Sequence, residues 1–406
     1  MSRRIVVTGI GMVTSVGIGR RAAWQALLAG RRGTSTVESF DTSRHPVHQG
    51  GEIKGFRPDD HLKRLVPAQI GRASQLGAAA ARLALSDAGL DPEALDPARA
   101  GVAMGTTSGE PQEVERLDDA LVAEDLAQAG HGFVRRYPCH LIAAHVAAEV
   151  GFAGVNAMIP TACAAGNYAL AYAYDALVND RAELMLAGGA DCFSRITYTG
   201  FARLGAIAPD VCRPFDKNRQ GMIPGEGAAV LVLEPLDRAL ARGVEPIAEV
   251  AGYGLSCDAH HMTAAHPEGE GAARAMERAL RMAGLAPEDV SYVSAHGTGT
   301  PTNDRLESIA VKRVFGERSP RVPMSSIKSM LGHTMGAASA IEAAVCALAV
   351  AEDRVPPTIH FEEPDPECDV DCVPNEAREM PVAVAMNNAY AFGGNNASTV
   401  MIKWRP

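Results

Sequence analysis

Short apolar runs rich in β-branched residues alternate along the chain with longer segments rich in alanine and leucine. The short runs predict buried strands, and the longer segments predict helices. The predicted strands are 5–8, 101–105, 155–160, 184–187, 228–233, 248–253, 290–294, 323–326, 382–386 and 398–402. The predicted helices are 22–29, 74–88, 166–178, 271–283 and 336–350. Strands that alternate with helices in this way indicate a layered α/β fold.

A weak internal repeat divides this pattern into two parts. Residues 157–163 and residues 322–333 each place a reactive side chain between a predicted strand and an alanine-rich helix. This repeat predicts a duplicated α/β unit, with one half at 1–250 and the other at 251–406. No low-complexity linker separates the halves, so we expect them to pack as one compact body.

The composition narrows the class of protein. The chain has 406 residues, of which 47% are hydrophobic and 21% charged, as in ordinary globular proteins. Its net charge of −10 argues against general nucleic-acid binding. An acidic protein could still bind a local basic patch. The candidate residues for such a patch are Lys63, Arg64, Arg72, Arg135, Arg136 and Arg203. Each of them is also readily explained as solvated surface charge.

The sequence favours a cytoplasmic location. Residues 1–4 lead directly into a predicted strand, so we expect no signal peptide. No uncharged run of 18 strongly apolar residues occurs, so we expect no membrane span. Eight scattered cysteines without secretory features favour a reducing compartment over a disulfide framework.

Cys163 is the most informative residue of the chain. It follows an apolar run and precedes a helix of small residues, which places a thiol at a helix N-terminus. Unpaired N–H groups and the helix dipole favour an anion there. A thiol with the ordinary pKa of about 8.5 is only slightly ionised at neutral pH, so a lowered pKa would activate it. A cysteine among alanines can equally be a small core residue.

Three further strand ends carry chemically useful residues. His296 stands in a tight loop of glycines and threonines, and Lys328 precedes His333 before another alanine-rich helix. A glycine pair at 393–394 can present backbone N–H groups to a ligand. Singly, each segment has an ordinary interpretation: a structural histidine, a solvated lysine or a plain turn. Four such segments, all at strand ends, predict one shared site.

Two other patterns are weaker. The glycine-containing turn at 9–14 follows a strand, but Thr14 stands where a dinucleotide fingerprint has its third glycine. Cys368 and Cys372 lack a second pair of ligands at metal-binding spacing. We therefore expect neither a nucleotide cofactor nor a metal.

In combination, the motifs resemble the β-ketoacyl-acyl-carrier-protein synthases, in the elongating branch of the thiolase-fold condensing enzymes. The resemblance covers essentially the whole chain and rests on residues 7–11, 161–163, 213–217, 225–228, 296–301, 328–333 and 392–395. The Cys-His-His set distinguishes this branch from chain-initiating synthases, which have Cys-His-Asn, and from thiolases, which use a second cysteine. The resemblance implies a thiolase-like fold, a duplicated α/β unit that forms a five-layer αβαβα body.

The resemblance also implies an activity, a decarboxylating Claisen condensation. Cys163 would hold an acyl group as a thioester, because sulfur both attacks and leaves well. Malonyl-acyl-carrier-protein would lose CO2 and extend that chain by two carbons. His296 and His333 would donate N–H groups to the enolate oxygen, and Lys328 would orient the pair.

Other residues take supporting roles by the same resemblance. The N–H groups of Cys163 and Phe392 would form an oxyanion hole, and Phe392 with Gly393 would gate the acyl pocket. A loop that contains Asp258 and His261 would move with this gate. The remaining implied roles are binding of the phosphopantetheine arm by Thr298 and Thr300, and support of the site by Asp304 and Glu342.

The implied substrates arrive on a carrier protein, so no separate cofactor is expected. The expected partners are an acyl carrier protein and a second subunit, either an identical chain or a homologous chain-length-factor-like chain, with no nucleic acid and no membrane. Unusual residues at 105–113, 222–224 and 387–391 favour polyketide or polyene biosynthesis over fatty-acid elongation. The alternatives are a catalytically silent chain-length partner and a thioester hydrolase.

Overall fold

The computed structural model describes residues 3–125, 127 and 132–405. Its strands are β1 (Ile5–Thr14), β2 (Gly17–Ile18), β3 (Ser35–Thr36), β4 (Gln49–Gly50), β5 (Ala100–Gly105), β6 (Asn156–Ile159), β7 (Leu184–Asp191), β8 (Gly227–Pro235), β9 (Ala248–Cys257), β10 (Tyr292–Ser294), β11 (Met324–Ser325), β12 (Arg354–Val355), β13 (Arg378–Glu379), β14 (Val384–Tyr390) and β15 (Asn395–Ile402). Its α-helices are α1 (Arg20–Leu28), α2 (Arg72–Asp87), α3 (Pro111–Val122), α4 (Gly132–Arg136), α5 (His140–Val150), α6 (Ala165–Val178), α7 (Arg195–Arg203), α8 (Leu236–Ala241), α9 (Glu270–Ala283), α10 (Pro301–Phe315), α11 (Lys328–Leu331) and α12 (Ala338–Glu352). Each strand and helix predicted from the sequence is present.

One large sheet passes through the described part of the chain, in the order β11-β10-β14-β15-β9-β1-β8-β7-β5-β6, with β2 paired to β1. Its two halves have the same topology. In each half, the first strand pairs antiparallel with the last, and the last pairs antiparallel with the fourth. The fourth then pairs parallel with the second, and the second with the third. The predicted duplication of one α/β unit is confirmed.

The two halves of the sheet join where β1 pairs with β9, Ile5 lying opposite Val250 and Val7 opposite Ala248. The second repeat opens with β9, which begins at Ala248, so the predicted division between residues 250 and 251 falls inside this strand. That division stays a prediction.

The helices complete the layers. Helices α2 and α5 cover the outer face of the first half, and α9, with α10 packed against it, covers the outer face of the second. Helices α6 and α12 pack against each other and contact strands of both halves. Separate apolar clusters fill the three spaces, and the largest surrounds the middle pair of helices. The predicted five-layer αβαβα arrangement is confirmed.

Small residues let the two middle helices approach closely. A Cβ on Gly166 of α6 would lie 2.4 Å from the backbone nitrogen of Ala340 on α12, so a side chain at this position would push the helices apart. The residues just before these helices carry the predicted nucleophile and one predicted histidine. The close packing therefore brings the two predicted halves of the site together.

One helical segment of the described chain, Met335–Glu352, is long and apolar enough to cross a membrane by length and composition alone. Within the fold, 89% of this segment is buried, as expected for a core helix. The sequence analysis predicted no membrane span here because Glu342 interrupts the uncharged apolar run.

Candidate active site

Cys163 lies between the end of the edge strand β6 and the start of α6. A single 3₁₀ turn, Ala162–Ala164, separates the strand end from the helix. Ala162 has a φ of 50°, a left-handed conformation that costs energy for a residue with a side chain. This strained turn presents the partly accessible Cys163 thiol at the start of the helix.

His333 lies directly beside this thiol. Its Nε2 is 3.1 Å from Sγ of Cys163. The backbone N–H of Met335 donates to its Nδ1 at 3.2 Å, so in a neutral ring the hydrogen must be on Nε2. The main chain of His333 is fixed by hydrogen bonds to Ile223 and Gly225, at 2.6 and 2.9 Å. His333 is therefore held as an N–H donor that faces the sulfur.

His296 completes the group. Sγ of Cys163 and one ring nitrogen from each of His296 and His333 all lie within 4.8 Å of one another. The two imidazole rings are 5.6 Å apart and nearly perpendicular. The carboxylate of Glu307, a residue of α10, accepts the backbone N–H groups of His296 and Gly297 at 2.8 and 2.7 Å. Glu307 thus fixes the loop that carries His296.

Lys328 and Glu342 form an ion pair behind the two histidines, and both side chains are buried. Lys328 opens the short helix α11, and Glu342 lies in the second turn of α12. Burial raises the pKa of Glu342 to about 7, while the Lys328 charge acts in the opposite direction. The ammonium group is thereby fixed as a positive charge next to the reactive trio.

The electrostatic setting differs from the one expected at a helix N-terminus. Burial raises the pKa of the Cys163 thiol to about 12, and the charge of Lys328 opposes this only in part. Burial, followed by the Lys328 charge, holds the pKa values of His296 and His333 well below their ordinary range. The resting site therefore combines a neutral thiol with two neutral imidazoles.

The trio also has the donor atoms of a zinc site, two imidazoles and a thiol. However, Nδ1 of His333 faces the N–H of Met335, so the ring hydrogen is on Nε2. A protonated nitrogen has no lone pair for a metal, and its orientation toward Sγ of Cys163 is that of a donor. The arrangement disfavours metal binding at these three residues.

The predicted gate is a tight turn between β14 and β15. Phe392 is 46% exposed, and its ring lies 6.1 Å from that of Phe201 on α7. Gly393 has a φ of 83°, which favours glycine, and its N–H donates to the carbonyl of Met262 at 2.7 Å. That N–H is therefore occupied and does not face a substrate oxygen.

The predicted moving loop contacts this turn through Asp258. The Asp258 N–H donates to the Gly394 carbonyl at 2.9 Å, and its carboxylate accepts the Asn396 amide at 2.8 Å. A Cβ on Gly394 would lie 2.8 Å from that of Asp258, so the turn and the loop pack without a gap. His261 is exposed, and its hydrogen bonds to described residues lie within its own loop, where its Nδ1 accepts the N–H groups of Thr263 and Ala264.

The two predicted arm-binding threonines lie side by side. The hydroxyl groups of Thr298 and Thr300 are 2.9 Å apart. The buried carboxylate of Asp304 accepts the N–H groups of Gly299 and Phe215 at 3.1 and 2.8 Å. Asp304 therefore shapes the threonine loop and does not contact the histidine pair.

Comparison with known proteins gives the family. The family model described as "Beta-ketoacyl synthase, N-terminal domain" matches residues 2–239, and "Beta-ketoacyl synthase, C-terminal domain" matches residues 247–362. The chain belongs to the β-ketoacyl synthase family. It is 38% identical over 410 residues to a 3-oxoacyl-[acyl-carrier-protein] synthase 2 of Synechocystis sp., with 99% of both chains covered. A synthase of the same name from Staphylococcus aureus is 37% identical over 409 residues, with 99% of both chains covered.

Solved structures of the family are similar to this chain over its whole length. "The ishigamide ketosynthase/chain length factor" is 42% identical to this chain, with a TM-score of 0.96 and full coverage of both chains. A type II polyketide ketosynthase in complex with its acyl-carrier protein and bound to the hexaketide is 31% identical, with a TM-score of 0.91 and full coverage of both chains. The predicted resemblance and the thiolase-like fold are confirmed, and the chain is an acyltransferase of the condensing type.

Two carboxylates near the site were missed by the sequence analysis. Glu307 lies one helical turn after Asp304 on α10, a helix that was not predicted. Asp191 ends the apolar strand β7 and accepts hydrogen bonds from Thr106, Thr107, Ser108 and Gly336. A charged residue at the end of an apolar strand, and an acidic pair at helical spacing, were the available signals.

Proposed function

We propose that this synthase extends a carrier-bound acyl chain by two carbons, with Cys163 as the acyl-holding nucleophile. One observation carries the proposal: a thiol and two imidazole nitrogens converge within 4.8 Å, beside a buried cation. Such a set can hold an acyl group and stabilise an enolate in one enclosed space.

The first step is acyl transfer. Sγ of Cys163 bonds to the thioester carbon, and the bond from that carbon to the carrier sulfur breaks. The thiol proton passes to the departing sulfur, so charge balances. The backbone N–H groups of Cys163 and Phe392 are assigned to the carbonyl oxygen during this step. The Lys328 charge favours the transient thiolate, because it lowers the pKa of a thiol that burial has raised.

The second step is loss of CO2 from the malonyl group. The bond to the carboxyl carbon breaks, and its electron pair forms an enolate whose oxygen becomes negative. The N–H groups of His296 and His333 stabilise that oxygen. A neutral imidazole supplies such a donor without being an acid, which fits the lowered pKa values of both rings.

In the third step, the enolate carbon attacks the Cys163 thioester. A carbon–carbon bond forms, the bond to Sγ breaks, and the thiolate takes up a proton. A thiol whose pKa is raised is readily reprotonated, which returns the enzyme to its starting state. The product is a β-ketoacyl group two carbons longer on the carrier protein.

The supporting residues have four roles. Lys328 and Glu342 fix the field around the histidines, and Thr298 with Thr300 bind the phosphopantetheine arm. Phe392 and Gly393 form the gate, which Asp258 links to the loop that also contains His261. Asp304 supports the site through the threonine loop, since it bonds Gly299. No separate cofactor is part of the proposal, because the substrates bring their own phosphopantetheine.

The proposed partners are an acyl carrier protein and a second subunit. Strand β6 is the outer edge of the large sheet, and no strand of the described residues pairs with its other side. We propose that a second copy, or a homologous chain-length-factor-like chain, assembles along this edge. All eight cysteines are free, in keeping with a reducing cytoplasm.

We further propose polyketide or polyene chains as the substrates. The structure of "The ishigamide ketosynthase/chain length factor" contains a chain that is 42% identical to this one, and a type II polyketide ketosynthase complex contains a chain that is 31% identical. The polar residues Thr106, Thr107 and Ser108 stand where the family resemblance leads us to expect a more apolar stretch in fatty-acid members, and this departure favours the same choice. Fatty-acid elongation is the second candidate, on the strength of the relatives named 3-oxoacyl-[acyl-carrier-protein] synthase 2.

The test is product analysis with purified protein, acyl-carrier-protein primers and malonyl-carrier-protein. Condensation releases CO2 and yields a chain two carbons longer. Free acid without extension would indicate a hydrolase, and no turnover without an added homologous chain would indicate an obligate partner. Primers that are saturated, polyunsaturated or β-keto discriminate between the pathways. The control variant is Cys163→Ala, which should lose all extension.

A further inference from the structure

The imidazole of His296 is held by neighbouring rings rather than by hydrogen bonds. No described residue forms a hydrogen bond to this ring, and its Nδ1 is buried without a partner. Two aromatic contacts remain. The ring of His333 lies 5.6 Å away at 84°, and the ring of Tyr390 lies 5.6 Å away at 64°. The imidazole therefore contacts both of these rings.

Tyr390 belongs to the hairpin that carries the gate. It is the last residue of β14, opposite Asn396 of β15, and lies two residues before Phe392. Its side chain is 8% exposed and packs in the apolar cluster beneath α9 and α10. Its ring position is thus fixed by both the sheet and the core.

The hydroxyl group of Tyr390 is buried without a hydrogen-bond partner among the described residues. Burying an unpaired hydroxyl destabilises the folded state. The contact with His296 needs only the aromatic ring, because edge-to-face geometry uses the ring edge and face. The ring and the hydroxyl therefore make separable contributions, which a substitution can distinguish.

We propose that Tyr390 is the positioning residue for His296, and that its ring holds the imidazole N–H in line with the enolate oxygen. The proposal deepens the proposed function and rests on it, since it assigns how one of the two enolate donors is oriented. Edge-to-face contacts contribute about 0.5–1.5 kcal/mol beyond their buried area. Loss of this contact corresponds to a decrease in rate of roughly twofold to tenfold.

The test compares Tyr390→Leu, which removes the ring, with Tyr390→Phe, which keeps it. CO2 release from malonyl-carrier-protein and acylation of Cys163 are measured separately. For Tyr390→Leu we expect kcat for decarboxylation to fall about twofold to tenfold at unchanged KM, with acylation the same as in the parent. For Tyr390→Phe we expect parental decarboxylation and a higher thermal midpoint, because the unpaired hydroxyl is gone.

Three results would overturn the proposal: parental decarboxylation in Tyr390→Leu, equal loss of both half-reactions, or a loss in Tyr390→Phe as large as in Tyr390→Leu. If the leucine variant does not fold, Tyr390→Met takes its place, because its flexible side chain fills the space. If the parent protein itself releases no CO2, the proposed function fails. The positioning role is then judged by NMR, as an unchanged His296 imidazole signal in Tyr390→Leu would still refute it.

Discussion

Replacing His333 by alanine should separate the two half-reactions of the proposed mechanism. The imidazole Nε2–H points toward Cys163 at 3.1 Å, and the N–H of Met335 fixes this tautomer. The substitution removes one of two N–H donors to the enolate while leaving the thiol in place. His333→Gln is the matched variant, because its amide can donate a hydrogen bond from a less rigid side chain.

The expected magnitude follows from the role of the lost donor. Removing one preorganised donor to a developing oxyanion costs about 2.7–4 kcal/mol, or roughly a hundredfold to a thousandfold in rate. Acylation of Cys163 forms no enolate, so we expect it to change by less than about fivefold. His333→Gln should recover part of the decarboxylation rate.

The assay pairs CO2 release from malonyl-carrier-protein with intact-mass detection of acyl-Cys163. We expect the alanine variant to accumulate the acyl-enzyme and to release CO2 slowly. Equal loss of both half-reactions, with the fold intact by circular dichroism, would refute the assignment of His333 as an enolate donor. Parental CO2 release would refute it equally.

Three further predictions concern the thiol, a buried carboxylate and the carrier surface. Burial raises the pKa of Cys163 to about 12, so the rate of its alkylation by iodoacetamide should rise about tenfold per pH unit from pH 7 to 10. Peptide mass spectrometry measures this rate, and a plateau below pH 8 would contradict the prediction. Asp191→Asn should lower the thermal midpoint, because a carboxylate that accepts hydrogen bonds from Thr106, Thr107, Ser108 and Gly336 is lost. Burial raises the pKa of Asp191 to about 6. The stability advantage of the parent over this variant should therefore shrink as the pH rises from about 4 to about 6. An advantage that grows with pH would contradict a raised pKa at Asp191. Arg203 is exposed two residues from Phe201, whose ring faces Phe392, so Arg203→Glu should raise KM for malonyl-carrier-protein severalfold but leave malonyl-pantetheine unaffected. Arg281→Glu on α9 is the control, and an equal effect of the two substitutions would exclude a docking role for Arg203.

The sequence predicted the longer strands and the helices α1, α2, α6, α9 and α12, because each contains an apolar run that is buried in the core. It missed α5, although that helix is rich in alanine. It failed on α10, whose polar and charged residues show no strong apolar stripe, although Leu306, Ala310 and Val311 are buried. That failure also hid Glu307. Local pattern cannot show that a carboxylate on a polar helix turns inward to bond the N–H groups of His296 and Gly297.

The candidate site, too, could be predicted only in part from the sequence. Motif spacing indicated Cys163, His296 and His333, and packing of α6 against α12 brings Cys163 beside His333. The sign of the pKa shift at Cys163 could not be read from the chain. A helix N-terminus favours the thiolate, but burial depends on tertiary packing and outweighs it. In the same way, only the folded structure separates Asp258, which bonds the gate turn, from the exposed His261.

The central claim is that Cys163 holds the acyl chain that malonyl-carrier-protein then extends. A single-turnover experiment tests it directly: the protein is loaded with one acyl primer, freed of excess primer, and mixed with malonyl-carrier-protein. We expect one acyl group on the peptide that contains Cys163, and its loss with equal amounts of CO2 and a carrier-bound chain two carbons longer. An acyl group on another residue, or its release as free acid without extension, would contradict the account.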